Sequence, residues 1–374
     1  MVTKTNLLVL GIIFVLVVVA FALVNNNPKS TESIKIGYIG AFTGDMAAMG
    51  LGEQKAAMLA VDEINKAGGI NGRPIEMIYE DSKCNAGVAA SAANKLINVD
   101  GVKYILGGLC SSETLAIAPI AESSKVVVIS PVSSNPAISN AGDYTFRVYP
   151  SDAFQGKVAA EFAFNNLSAR KVAVLSCISD YCSGLAEVFK RNFVALGGQV
   201  VSTQEFEQTS RDLKTQLAVI KDSNPDLIYS LAYTDSSIAF LQQAEELGIN
   251  VTFFGGDTWG EYTIWNNTRG IADGSMYLVP KTVSNKDFEN RLNAKFGGPQ
   301  ELVLAALNTY DIVYIYKTII SAVGDDSEAV KNALYALDYK GLSGHVTFDS
   351  NGDLKTAEYD VMIVRNSSPE VLRP

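Results

Sequence analysis

The polar side chains best placed for chemistry fall in six short stretches. They are Ala41-Phe42-Thr43-Gly44-Asp45, Cys110-Ser111-Ser112-Glu113-Thr114, Ser130-Pro131-Val132-Ser133-Ser134-Asn135, Asp180-Tyr181-Cys182, Tyr233-Thr234-Asp235 and Gly256-Asp257-Thr258-Trp259. The first three offer hydroxyls and glycine-freed backbone N–H groups, which suit an anion when they stand at helix starts. The last three offer tyrosines and a carboxylate, which suit apolar contact and a cation. Together they describe a zwitterion held from two sides. Taken singly, a Ser or Thr before a helix is an ordinary N-cap and a lone Asp after a strand an ordinary turn residue. Their recurrence at matching positions is what points to a site.

Other chemistries are excluded by counting. The chain has one histidine, so histidine metal clusters, Ser-His-Asp triads and Cys-His dyads have no parts. Gly37 and Gly40 hint at a dinucleotide loop but lack the G-x-G-x-x-G pattern, and no Walker lysine follows a glycine loop. Thirty Lys and Arg against forty Asp and Glu give a net charge of −10. With no basic run, a nucleic-acid partner is not expected. No cofactor and no metal are expected either.

Positioning these stretches takes alternating strands and helices. Ile34–Ile39, Ile75–Tyr79, Tyr104–Leu106 and Val126–Ile129 read as buried strands, with helices at Gly50–Lys66, Gly87–Val99 and Thr114–Glu122 between them. The cadence restarts with a helix at Asp152–Asn165. Strands follow at Lys171–Leu175, Val200–Phe206, Leu227–Leu231 and Thr252–Phe254, with helices at Gly184–Leu196, Leu213–Lys221 and Ser236–Leu247. This is an α/β chain with two Rossmann-like lobes, each built on a parallel central sheet. In such sheets ligands sit beyond the carboxyl ends of the strands, where the six stretches fall. The 374 residues are comfortable for two such lobes. Further helices at Leu302–Val323 and Glu328–Leu337, and strands at His345–Phe348 and Tyr359–Val364, close the chain.

The N-terminus assigns a compartment. Leu7–Val24 is apolar and uncharged, preceded by Lys4 and followed by no charge until Lys29. It reads either as a membrane anchor or as a cleaved signal ending near Ala20-Phe21-Ala22. Residues 25–31 then form a tether, and the body lies outside the cytoplasm, tethered to the membrane's outer face or released. Four cysteines in an exported chain suggest disulfides, and they fall naturally into Cys84 with Cys110 and Cys177 with Cys182.

Ile36-Gly37-Tyr38-Ile39-Gly40-Ala41-Phe42-Thr43-Gly44, followed by Ala60-Val61-Asp62-Glu63-Ile64-Asn65-Lys66-Ala67-Gly68-Gly69-Ile70-Asn71-Gly72, resembles type I periplasmic solute-binding proteins. The nearest branch is the leucine/isoleucine/valine-binding proteins of ABC importers. Gly108-Leu109-Cys110-Ser111-Ser112, Ile129-Ser130-Pro131, Ser151-Asp152-Ala153-Phe154-Gln155-Gly156 and Phe348-Asp349-Ser350-Asn351-Gly352-Asp353 continue the likeness in order.

The resemblance implies lobes joined by a three-segment hinge near 149–151, 281–284 and 352–355. Residues 1–33 would be signal or anchor and tether. Lobe 1 would hold 34–150 with 282–353, and lobe 2 would hold 151–281 with 354–374. By the same resemblance an α-carboxylate meets Ser111, the backbone around Val132 and the Ser134 hydroxyl, with Ser112 and Ser133 beside them. The ammonium meets Asp257, Tyr181 and Tyr233 are second-lobe walls, and Cys84–Cys110 is the family disulfide.

Four departures stand out. Val132-Ser133-Ser134 replaces a smaller stretch, and Asp257 is a carbon shorter than the usual glutamate. Cys182 replaces a glycine, and Met49 takes a position often aromatic. The implied function is to bind an amino acid, branched-chain or otherwise aliphatic, and deliver it to an ABC permease as a monomer, with no bond made or broken. The rival reading is a sensor ectodomain for amino acids or small amides.

Overall fold

The computed structural model describes residues 32–282, 285–297 and 304–372. The apolar segment Leu7–Val24 and the tether lie outside these residues. Among the described residues no helix is long and apolar enough to cross a membrane.

The first half runs β1 (Ile34–Gly40), α1 (Ala47–Lys66), β2 (Ile75–Asp81), α2 (Ala86–Asn98), β3 (Tyr104–Leu106), α3 (Ser111–Ser124), β4 (Val127–Ser130) and β5 (Thr145–Arg147). The second runs α4 (Asp152–Asn165), β6 (Lys171–Ile178), α5 (Asp180–Ala195), β7 (Gln199–Glu207), α6 (Lys214–Asp222), β8 (Leu227–Leu231), α7 (Thr234–Glu246), β9 (Thr252–Gly255), α8 (Tyr262–Asn267) and β10 (Met276–Pro280). The chain ends with α9 (Lys286–Phe296), α10 (Leu304–Val323), α11 (Ser327–Tyr335), β11 (Tyr339–Lys340), β12 (His345–Val346), β13 (Tyr359–Arg365) and β14 (Ser368–Val371).

Two sheets result. One is five-stranded, β2-β1-β3-β4-β5, and wholly parallel. The other is seven-stranded, β14-β13-β10-β9-β8-β6-β7. Its β10-β9-β8-β6-β7 part is parallel, while β13 and β14 add an antiparallel edge that the expected parallel sheet did not include. That edge is a hairpin. Asn366 and Ser367 both have positive φ, as a two-residue turn of matching twist requires, and Asp273 accepts both of their N–H groups.

Burial follows the sequence pattern. Ala56, Ala57, Leu59, Ala60 and Ile64 form the buried face of α1, which packs on α10. The inner strands β1, β3, β4, β6 and β8 are buried nearly throughout, because helices cover both faces, while the outer strands β2, β7, β13 and β14 are largely half-buried or exposed.

Several helices start earlier than expected, and two of these shifts have a visible cap at the site. In α3 the Glu113 carboxylate accepts the Cys110 N–H at 2.9 Å, so the first turn includes Ser111. In α5 the Ser179 hydroxyl accepts the Cys182 N–H at 3.2 Å, so Asp180 and Tyr181 are helical. Strands β5, β10, β11 and β14 and helices α8 and α9 were not expected. Strand β5 (Thr145-Phe146-Arg147) and the two-residue β11 (Tyr339-Lys340) carry no apolar run to mark them.

Candidate ligand-binding site

The carboxyl ends of the two sheets face each other across a cavity with about 400 Å³ of empty space, counting what opens to solvent. Its walls come from both sides. Met46, Met49, Leu109, Cys110, Ser111, Val132, Ser134 and Tyr149 belong to the five-stranded half and its exit segment. Tyr181, Tyr233, Asp257 and Thr258 belong to the seven-stranded half.

The first wall is built by close approach. A Cβ at Gly50 would meet the Ala41 carbonyl oxygen at 1.9 Å, so only glycine lets the start of α1 lie on the end of β1. That contact brings Met46 and Met49 to the cavity. Ser111 Oγ accepts the N–H groups of Ser134 at 3.2 Å and Asn135 at 3.1 Å. Both acceptor positions are used, which leaves its O–H to donate to an anion. Ser130 accepts the Ser133 N–H at 2.9 Å and donates to the Gly108 carbonyl at 2.7 Å, tying this turn to β3.

Ser134 Oγ lies 3.0 Å from Asp152 Oδ2. Burial, reinforced by the nearby Asp257 carboxylate, pushes the Asp152 carboxyl well above its usual range. With the carboxyl ionised Ser134 donates to it; protonation lets Asp152 donate instead and frees the serine hydrogen for the cavity.

The second wall centres on Asp257, the first residue of a 3-10 turn after β9. Its Oδ2 accepts the Tyr149 hydroxyl at 2.6 Å. Its Oδ1 accepts the Tyr181 hydroxyl at 2.6 Å and the Gln155 side-chain N–H at 3.2 Å. A Cβ at Gly256 would meet the Tyr181 hydroxyl at 2.7 Å, so the glycine makes room for this approach. Burial, with Asp257 adding to it, holds both phenols well above the ordinary tyrosine value, so they remain donors at neutral pH. Tyr181 and Tyr233 lie ring to ring at 5.7 Å, forming the aromatic surface. Thr258 donates to the Ala232 carbonyl at 2.8 Å and pins the turn to the end of β8.

Of the residues expected at the site, Met49, Ser111, Val132, Ser134, Tyr181, Tyr233 and Asp257 line the cavity, and Ser112 and Ser133 do not. The Ser133 hydroxyl is buried against the Gly108 and Leu109 carbonyls and Thr114. Thr43 is bonded to Asp81 and Asp45 to Arg211. Sequence reasoning missed Met46 and Tyr149, and it gave no role to Leu109, Gln155 or Thr258, although each stood in a stretch it had singled out. Tyr149 lies two residues before the Ser151-to-Gly156 motif that carried the resemblance, which was the one available signal for it.

The cysteines pair as Cys84–Cys110 and Cys177–Cys182, each with Cα atoms 5.5 Å apart. Among the described residues no group of three or more His, Cys, Asp or Glu side chains could hold a metal ion.

A profile of the family described as "Periplasmic binding protein" matches residues 33–368. The chain belongs to this family. It is 29% identical to the leucine-, isoleucine-, valine-, threonine- and alanine-binding protein of Pseudomonas aeruginosa, over 89% of this chain and 90% of that one. It is 28% identical to the Leu/Ile/Val-binding protein of Escherichia coli, over 91% and 93%. Its fold is similar to the leucine-binding protein LivK of Thermotoga maritima, with a TM-score of 0.83, 29% identity, and coverage of 91% and 98%. It is also similar to LivJ of Streptococcus pneumoniae, a branched-chain amino acid transporter substrate-binding protein solved with isoleucine, with a TM-score of 0.81, 28% identity, and coverage of 92% and 100%.

Proposed function

We propose that the protein is the extracytoplasmic solute-binding component of an ABC importer. It binds an aliphatic amino acid between two lobes and delivers it to a membrane permease. The observation that carries this reading is one cavity bordered both by the anion-facing Ser111 hydroxyl and by the Asp257 carboxylate. A free α-amino acid presents a carboxylate to the first and an ammonium to the second, with its side chain against Tyr181, Tyr233 and Met46. The family membership and the ligands named for the relatives support the same reading.

The lobes are residues 34–150 with 282–353, and 151–281 with 354–374, and their crossings are the hinge. Neither lobe alone carries both halves of the clamp, so binding favours the closed form. Closure then presents a joint surface that the permease reads. The protein acts as a monomer and makes or breaks no bond.

A thermal-shift screen over amino acids, amides and small carboxylic acids tests the reading. An aliphatic amino acid should stabilise the protein, and Asp257→Ala should weaken it by more than tenfold, because the ammonium would stay unpaired in a closed cleft at a cost of about 2–5 kcal/mol. Full stabilisation by an acid lacking the amine would overturn it.

A further inference from the structure

We infer that the cleft is built to hold a dipeptide as well as a free amino acid, with the C-terminal residue in the cavity described above and the N-terminal residue in a second chamber beside it. The inference rests on the amino-acid reading and extends it. The second chamber has about 700 Å³ of empty space, counting what opens to solvent. It shares Met49, Val132, Tyr149 and Asp257 with the first cavity. The second chamber is the roomier of the two.

The position of the second chamber decides which end of a ligand reaches it. The hydroxyls of Ser111 and Ser134, and the aromatic pair Tyr181 and Tyr233, border only the first cavity. The ligand's carboxylate and side chain therefore stay there. The second chamber adjoins Asp257 and Tyr149, where the ligand nitrogen sits. What extends into it is a substituent on that nitrogen.

The hydrogen-bond inventory at Asp257 agrees. Two carboxylate oxygens offer about four acceptor positions. Tyr149, Tyr181 and Gln155 occupy three, leaving one on Oδ2, the oxygen held by Tyr149. A peptide N–H supplies one donor. A primary ammonium brings three and must find other acceptors for two of them.

The chamber's chemistry suits an N-terminal residue. Val279, Pro280, Leu304 and Met362 give apolar walls, and Glu261 and the hydroxyl of Thr282 give a polar end with oxygen acceptors. A terminal ammonium fits that end, whereas a neutral acetyl group does not. Met49 stands between the chambers where relatives of this kind often carry a rigid aromatic ring. An unbranched thioether with free rotamers leaves the passage open.

Titration calorimetry on the protein, freed of bound ligand, tests this with leucine, glycyl-leucine and N-acetyl-leucine. Glycyl-leucine should bind within tenfold of leucine, and N-acetyl-leucine at least tenfold more weakly than glycyl-leucine. Ala305→Phe and, as a milder filling of the same chamber, Val279→Phe should each weaken glycyl-leucine more than tenfold while changing leucine less than threefold. Leucine binding also reports that each variant is folded. Tight leucine binding with glycyl-leucine more than tenfold weaker would overturn the second-chamber assignment and leave the amino-acid reading standing. If neither leucine nor any other amino acid binds, the parent reading falls and takes this one with it.

Discussion

Arg211 reaches across the mouth of the cleft to Asp45, 2.8 Å away and 166 residues earlier in the chain. Asp45 lies between β1 and α1, and Arg211 between β7 and α6, so the ion pair joins the two halves. The same guanidinium holds Asp235 at 3.0 Å. The pair is half-exposed and worth about 1 kcal/mol or less in water. Because it ties the two halves together, it is expected to latch the closed form. Arg211→Ala should raise the ligand off-rate by about three- to fivefold, with little change in on-rate, since such effects fall mainly on dissociation. The difference from wild type should shrink at about 0.5–1 M salt, where exposed charges are screened. Stopped-flow dissociation reads both, and an unchanged off-rate would remove the latch.

Ser134 and Asp152 predict a pH-dependent affinity. While Asp152 is protonated, it donates to Ser134, and the serine hydrogen serves the ligand carboxylate. Once Asp152 ionises, Ser134 turns its hydrogen to it and the ligand loses a donor. Wild-type affinity should therefore fall as pH rises through the elevated Asp152 pKa, by about tenfold, the worth of one hydrogen bond to a charged group. Asp152→Asn keeps a neutral donor and should flatten the profile. A flat wild-type profile in calorimetry would show that Ser134 plays no part.

Glu113 predicts a pH-dependent stability. It is buried at the start of α3, and burial pushes its carboxyl up to about 7, against an ordinary value of 4.5. The folded state holds this proton more tightly than the unfolded chain does. Stability from this group is therefore fully present below about pH 4.5 and is lost as pH rises to about 7, by about 3 kcal/mol in all. Glu113→Gln retains an acceptor for the Cys110 N–H and should remove this slope. Urea unfolding across that interval checks it, and parallel slopes in the two proteins would refute it.

The disulfides should differ in their contribution. Cys84–Cys110 closes a loop of 26 residues and Cys177–Cys182 one of 5. By chain entropy these contribute about 3.5 and about 2 kcal/mol. Replacing Cys84 and Cys110 by serine should cost more stability, and also affinity, because Ser111 follows Cys110 directly. Non-reducing peptide maps should show both pairs. Free thiols at all four positions would contradict them.

Much of this protein is local in origin and was legible in its residues. Short branched apolar runs mark most of the parallel strands, some of them ended by glycine, and helical apolar spacing marks the longer helices. Ligands gather at strand ends, so the stretches that hold Ser111, Ser134, Tyr181, Tyr233 and Asp257 could be picked out by position, and the family resemblance singled out those residues within them. One histidine and a surplus of acid excluded whole chemistries without any fold. What tertiary structure decided was which polar atoms meet. Tyr149 and Asp257 are 108 residues apart, and Arg211 and Asp45 lie in different halves. No periodicity encodes those distances, because they depend on how two sheets close on each other. The same holds for Ser133, whose hydroxyl type matched the pattern but whose strand-end turn points it at carbonyls of β3's exit loop. Strand β5 was invisible for a related reason. Thr145-Phe146-Arg147 is no apolar run, unlike the equally short Tyr104-Ile105-Leu106, and it becomes a strand because β4 offers it an edge.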